Sequence, residues 1–252
     1  RIRETLAETG RTVALTSEYN AEANMDGIDA FLIWVSREAE EIPLITAAYS
    51  GYSLYFGSPH PTNAGLNSFV MVQARDFIWG SQLGWMAPSM PDPFKEYLRT
   101  LGKLRVHARK FLTYGELVGE LTPVSDPPSV SAVWPLWGQP RLSTSPAVLS
   151  SIWRAEDGSL GLFLANVSDS PQTFPSTYDP AAYGLEGGEL NYMPITPEGP
   201  GSPVRARGGV QTRSEGLPPF GVAIYEVRPV AAPGRPGNKG GRESQRGSVR
   251  GR

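Results

Sequence analysis

The sequence contains no cysteine and only two histidines in 252 residues. Disulfides and thiolate metal sites are excluded, and His60 and His107 lie too far apart for a zinc-ligand spacing. No apolar run approaches the ~20 residues that a membrane-spanning helix needs. No serine sits in a Gly-x-Ser-x-Gly elbow, and no glycine-rich loop is placed to cradle phosphate: Gly187-Gly188 reads as a turn and Gly240-Gly241 lies near the end. Basic charge is scarce in the body of the chain. Lys and Arg total 23 against 25 Asp and Glu, and six of those cations fall in the last 23 residues beside one Glu, which leaves −7 for everything before them. A body of that sign offers no broad basic surface to nucleic acid. No metal, cofactor, nucleic-acid or membrane partner is therefore expected. The compartment stays open, because missing cysteines do not fix it. The chain also begins with Arg inside what reads as a helix, as expected of a piece of a longer protein, so a missing signal peptide says nothing about export.

What is present is apolar content, glycine and proline. Hydrophobic residues make up 40%, with 28 Gly and 24 Pro, enough for a core crossed by many turns. Residues 1–10 read as a helix closed by Gly10, and 12–17 as a short buried strand. Residues 26–39 read as loop and helix. Leu44–Tyr49, opened by Pro43, reads as a second strand buried on both faces. Residues 66–76 read as helix, and Phe77–Trp85 as a third strand. Residues 93–113 form the strongest helix, with Phe94, Tyr97, Leu98, Leu101, Leu104 and Leu112 on one stripe. This alternation predicts a parallel sheet. It covers about half of a (β/α)8 barrel of ~250 residues.

After the Pro-rich run 121–128 the pattern changes to short alternating strands. Val148–Arg154 and Leu160–Val167 flank an Asp157-Gly158 turn and read as a hairpin. Further strands are expected at 171–176, 188–193, 203–212 and 220–228. The resulting expectation is α/β plus all-β. An incomplete (β/α)8 barrel (1–121) precedes a small antiparallel β-sandwich (129–229) and a disordered basic tail (230–252).

The stretch Thr12–Glu22 carries the clearest chemical signal. A strand running directly into Glu18, Tyr19, Asn20 and Glu22 places charge where burial would be costly, unless it opens onto a solvent-filled mouth. Glu18 and Glu22 are the candidate catalytic carboxylates, Glu18 the stronger. Glycoside hydrolysis uses two such groups, ~5–5.5 Å apart for retention and ~6.5–9.5 Å for inversion. The bland alternative is a pair of solvated loop carboxylates. Tyr19, Asn20, Tyr49, Tyr52, Gln82 and Trp85 are candidate substrate contacts, since rings stack on sugar C–H faces and amides orient hydroxyls. Trp79 reads as core, Asp26 as a helix cap, and Asn166-Val-Ser168 as a strand end.

Several motifs extend this reading: Leu15-Thr-Ser-Glu-Tyr-Asn-Ala-Glu22, Ile42-Pro-Leu-Ile-Thr-Ala-Ala-Tyr49, Gly80-Ser-Gln-Leu-Gly-Trp85, and Ser151-Ile-Trp-Arg154 with Leu162-Phe-Leu-Ala-Asn166. Over roughly residues 1–228 the chain resembles the C-terminal part of glycoside-hydrolase-like barrel proteins with a trailing β-sandwich. It is similar to an uncharacterised bacterial domain-of-unknown-function family. The resemblance implies a glycosidase acting on a carbohydrate as a fragment of a larger enzyme, with the second carboxylate upstream. A non-catalytic carbohydrate-binding or scaffold protein derived from such a barrel is the alternative.

Overall fold

The computed structural model describes residues 2–18, 23, 25–32, 42–56, 65–83, 89–136, 139–186 and 188–230. Tyr19, Asn20, Glu22, Trp85 and the tail beyond Val230 lie outside the described residues. The fold is mixed α/β and rich in sheet.

The first part runs α1 (Ile2–Ala7), β1 (Thr16–Ser17), β2 (Ala30–Leu32), α2 (Leu44–Tyr49), β3 (Leu54–Phe56), α3 (Leu66–Ile78) and α4 (Asp92–Leu112). The strands form a parallel sheet in the order β1-β2-β3, with Ser17 opposite Phe31 and Phe31 opposite Tyr55. Gln82 adds a single parallel bridge to Phe56.

Four expectations are corrected here. Of the buried strand expected at 12–17 only Thr16–Ser17 pairs, and the stretch is not buried, with Val13 40% exposed. Leu44–Tyr49 is a helix, not a strand. A short apolar run does not distinguish the two by periodicity, and this one is not buried: Leu44 is 67% exposed and only Thr46 is enclosed. The strand comes later, at Leu54–Phe56. Phe77 and Ile78 finish α3, so the third expected strand shrinks to the bridge at Gln82. The three-residue strand Ala30–Leu32, buried throughout, lies in a segment that reads as loop and helix.

Helix α3 is buried at every position from Ser68 to Ile78, which places it at the centre of the molecule. Helix α4 is amphipathic. Phe94, Tyr97, Leu101, Leu104, Ala108 and Phe111 face inward at helical spacing. Pro93 sits in its first turn, where the missing N–H costs nothing, and Arg109 and Lys110 sit in its last turn, where cations suit the helix dipole.

The second part is antiparallel. It contains β4 (Glu116–Gly119), β5 (Thr122–Pro123), β6 (Ser129–Leu136), β7 (Gln139–Pro146), β8 (Val148–Arg154), β9 (Leu160–Asn166), β10 (Gln172–Tyr178), β11 (Glu189–Thr196), β12 (Gly199–Pro200), β13 (Val204–Arg207), β14 (Gln211–Leu217) and β15 (Val222–Pro229). The large sheet follows the order β12-β11-β15-β9-β8-β4, with β13 also on β11. A smaller sheet follows β14-β10-β5, and β6 and β7 form a separate hairpin.

Period-2 alternation divides the large sheet between two cores. On β9, Leu160, Leu162 and Leu164 join a cluster with Phe174 and Leu217 of the smaller sheet, whereas Phe163 and Ala165 join the helices. The β8–β9 turn is built as its Asp-Gly pair implies. Gly158 takes φ +78°, a left-handed conformation that suits glycine, and the Asp157 carboxylate accepts from the Ser159 amide at 3.1 Å.

Buried polar contacts tie the two parts together. The Trp153 indole N–H donates to the Ile78 carbonyl at 2.9 Å, and the Ser151 hydroxyl donates to the same oxygen at 2.8 Å. Within the first part, the buried Arg105 guanidinium donates to the carbonyls of Ser81, Gly80 and Leu112 at 2.8, 2.8 and 3.2 Å. Desolvation lowers its pKa to about 10, which leaves it charged at neutral pH.

Candidate active site at the ends of the parallel strands

The parallel register sets the geometry. Thr16 pairs with Ala30 and Ala30 with Leu54; one step on, Ser17, Phe31 and Tyr55 align. The next step aligns Leu32, Phe56 and Gln82; β1 itself ends at Ser17, and Glu18 follows it in a bend. Glu18 therefore leaves the sheet at the C-terminal ends of its strands, the end where parallel α/β proteins assemble active sites. It is exposed, so it can be charged without a desolvation cost.

The two faces of the sheet differ. Phe31 and Tyr55 stack with ring centroids 6.5 Å apart, and both are buried. Burial first, and then the neighbouring Tyr49 phenol on α2, push the Tyr55 hydroxyl up to about 12. At the alternate positions Thr16 and Leu54 are exposed, whereas Ala30 and Leu32 of the central strand are buried.

Asp29 holds this end of the chain together. Its carboxylate accepts from the Leu15 amide at 2.8 Å and from the Arg3 guanidinium at 2.9 Å. The Leu15 bond first, then Arg3, lowers its pKa. The residue is a clamp between α1, the entry to β1 and the entry to β2. No sequence pattern marked that role, because the three partners are far apart in the chain.

Of the other candidates, Gln82 is half-buried and level with Phe56. Tyr49 and Tyr52 are placed differently from expectation. Tyr49 ends α2, and Tyr52 lies in the turn that enters β3, so both sit towards the end of the sheet opposite Glu18. Tyr52 is 88% exposed there. Glu22, Tyr19, Asn20 and Trp85 cannot be positioned among the described residues. No group of three or more His, Cys, Asp or Glu able to hold a metal occurs among the described residues. Nor is any helix among them long and apolar enough to cross a membrane.

No family model matches the chain. It is 28% identical over 165 residues to a Bacteroides thetaiotaomicron protein named "Putative glycoside hydrolase", an alignment covering 62% of this chain and 24% of the relative. The chain thus spans about a quarter of that relative's length. Among solved structures it is similar to alpha-galactosidase I from Mortierella vinacea, with TM-score 0.52 and 9% identity over 89% of this chain and 60% of that one. It is also similar to an Anoxybacillus alpha-amylase, with TM-score 0.51 and 13% identity over 91% of this chain and 55% of that one. At such identities the structural likeness concerns the fold, a mixed α/β, sheet-rich arrangement shared with glycosidases.

Proposed function

We propose that the chain is part of a glycoside hydrolase and that Glu18 supplies one of its two working carboxyl groups. The observation that carries this is where β1 ends. Glu18 directly follows Ser17, the last paired residue of β1, and this supports a carboxylate at the C-terminal end of that strand. The similarity to the Bacteroides protein and the two glycosidase folds supports the same class.

In the finer reading, β1 to β3 and the bridge at Gln82 are consecutive strands of an incomplete (β/α)8 barrel, and the antiparallel part is an appended β domain. Glu18 then either protonates the departing glycosidic oxygen or attacks the anomeric carbon. The second carboxyl is Glu22 or a residue outside this chain. Gln82 orients a sugar hydroxyl from the neighbouring strand end. The substrate is a carbohydrate, and no cofactor takes part.

The test is Glu18→Gln in the longest protein that carries this chain, assayed for reducing sugar released from a panel of glycosides. The exchange keeps the shape and removes the ionisable proton. A fall in kcat/KM of about 10²- to 10⁴-fold is expected, the range for a positioned acid or base. Unchanged turnover would remove Glu18 from the mechanism.

A non-catalytic carbohydrate-binding protein is the second reading. It is favoured by one observation: among the described residues, no second carboxylate directly follows a strand of the parallel sheet. Saturable oligosaccharide binding without product release would favour it.

A further inference from the structure

A cavity of about 290 Å³ lies where the C-terminal end of α3, the connection 120–127 and β8 meet. None of its lining residues belongs to β1–β3, and neither Glu18 nor Gln82 is among them. Its polar walls come from Arg75, Glu120, Asp126 and Ser150, and its apolar walls include Trp79 and Pro127.

Arg75 is 3% exposed, and its guanidinium lies 5.5 Å from the centroid of the Trp79 ring, which fixes a donor fork beside an aromatic plate. The Ser150 hydroxyl accepts the Leu121 amide at 3.2 Å, and its proton has no acceptor among the described residues. Glu120 and Asp126 make no hydrogen bond or ion pair with any described residue. Glu120 is exposed by surface area, yet the surrounding walls desolvate its carboxyl and raise its pKa. Two carboxylate acceptors, a hydroxyl proton and a half-buried indole beside a fixed cation are groups that recognise a polyhydroxylated ring. Its hydroxyls donate to the carboxylates and accept from Ser150, and its C–H groups pack against the accessible part of Trp79.

We propose that this cavity is a second, non-catalytic site that binds one neutral sugar ring. Its volume sits at the small end of ligand clefts, ~300–1,000 Å³, so it suits a single ring rather than a buried oligosaccharide. A phosphorylated or acidic sugar would meet Glu120 and Asp126, and a cationic one would meet Arg75. The site does not depend on the assignment of Glu18.

The test titrates the whole chain with D-glucose, D-galactose, D-xylose and L-arabinose, followed by calorimetry and by tryptophan fluorescence, with Trp79 as the local reporter. Saturable binding of at least one of the four is expected. Glu120→Ala should weaken it at least fivefold at an unchanged unfolding midpoint, and Trp79→Leu should weaken it and remove the fluorescence change. Glu18→Gln should leave the affinity as it was. Absence of saturable binding by all four sugars overturns the proposal, as does binding that survives Glu120→Ala unchanged. Binding abolished by Glu18→Gln would return the sugar to the strand ends and also overturns it. Because Glu18→Gln is read here by affinity and above by turnover, failure of either reading leaves the other standing.

Discussion

The antiparallel sheet around β8 and β9 buries side chains on both faces, whereas in the parallel sheet only the central strand β2 does so and the flanking strands β1 and β3 are partly exposed. Every residue of β9 is buried. In the parallel sheet, Phe31 and Tyr55 are enclosed, while Thr16 and Glu18 are exposed and Leu54 is 37% exposed. One region puts its residues into packing, and the other leaves the flanking strand positions open to solvent. Stability and chemistry should therefore separate on mutation, with large stability losses in the first region and small ones at the strand ends.

The largest effect is expected at Trp153, 1% exposed, with its indole N–H on the Ile78 carbonyl. Trp153→Ala should cost about 3–5 kcal/mol, seen as a lower urea midpoint. Glu18→Gln should change that midpoint by less than about 0.5 kcal/mol, as is usual for exposed positions. Equal losses from the two would dissolve the distinction between the regions. The next effect is at Gly80. A Cβ there would lie 2.6 Å from the Trp153 ring and 3.2 Å from the Leu112 carbonyl, on a backbone with φ +81°. Gly80→Ala should cost about 1–3 kcal/mol, the range for an overpacked core. A midpoint equal to the parent would mean that the junction between the two parts is loose.

The same division explains what the sequence disclosed. The β8–β9 hairpin was legible because Asp157-Gly158 marks its turn and alternation marks its strands. Helix α4 was legible because its stripe persists over many turns. The parallel strands were not. Ala30–Leu32 is too short to show a period, and Leu44–Tyr49 is apolar without being buried. Glu18 stands out in the sequence as a charge directly after a buried run, but the exposure of that run, with Val13 40% exposed, weakens the inference. The cavity residues were not legible, since Trp79, Glu120 and Ser150 come from three separate elements and share no local pattern. Asp29 carried no signal of its own, because Leu15 and Arg3 meet it only in the folded chain.

A smaller effect belongs to the ion network between α4 and the large sheet. The Lys110 ammonium donates to Glu226 at 2.7 Å, to Ser159 at 2.7 Å and to Asp157 at 3.1 Å. Arg228 also reaches both Glu226 and Asp157. Burial alone would raise the Asp157 carboxyl, but bonds from Ser159 and then Lys110 outweigh it and hold the pKa at about 2, below the ordinary 3.8. A carboxyl depressed on folding contributes stability above its unfolded pKa, and that contribution disappears as pH falls through the folded value. The gap between parent and Asp157→Asn in urea unfolding should be present at pH 6 and vanish between about pH 4 and pH 2. It should stay within about 1 kcal/mol, because Asp157 is 47% exposed and solvent screens the pair. A gap that grows on acidification would contradict the assignment of Asp157 to this network.

The smallest expected effect tests the polarity of the parallel sheet. Tyr52 lies in the turn before β3, 88% exposed, whereas Glu18 follows the end of β1. If the strand ends hold the chemistry, a ring at their opposite end contributes neither to packing nor to substrate. Tyr52→Ala should then leave glycoside turnover within twofold and the urea midpoint within about 0.5 kcal/mol. A loss of kcat/KM comparable to that of Glu18→Gln would place substrate on the entry side of β3. The register argument for Glu18 would then have to be reversed, because one parallel sheet presents only one set of C-terminal strand ends.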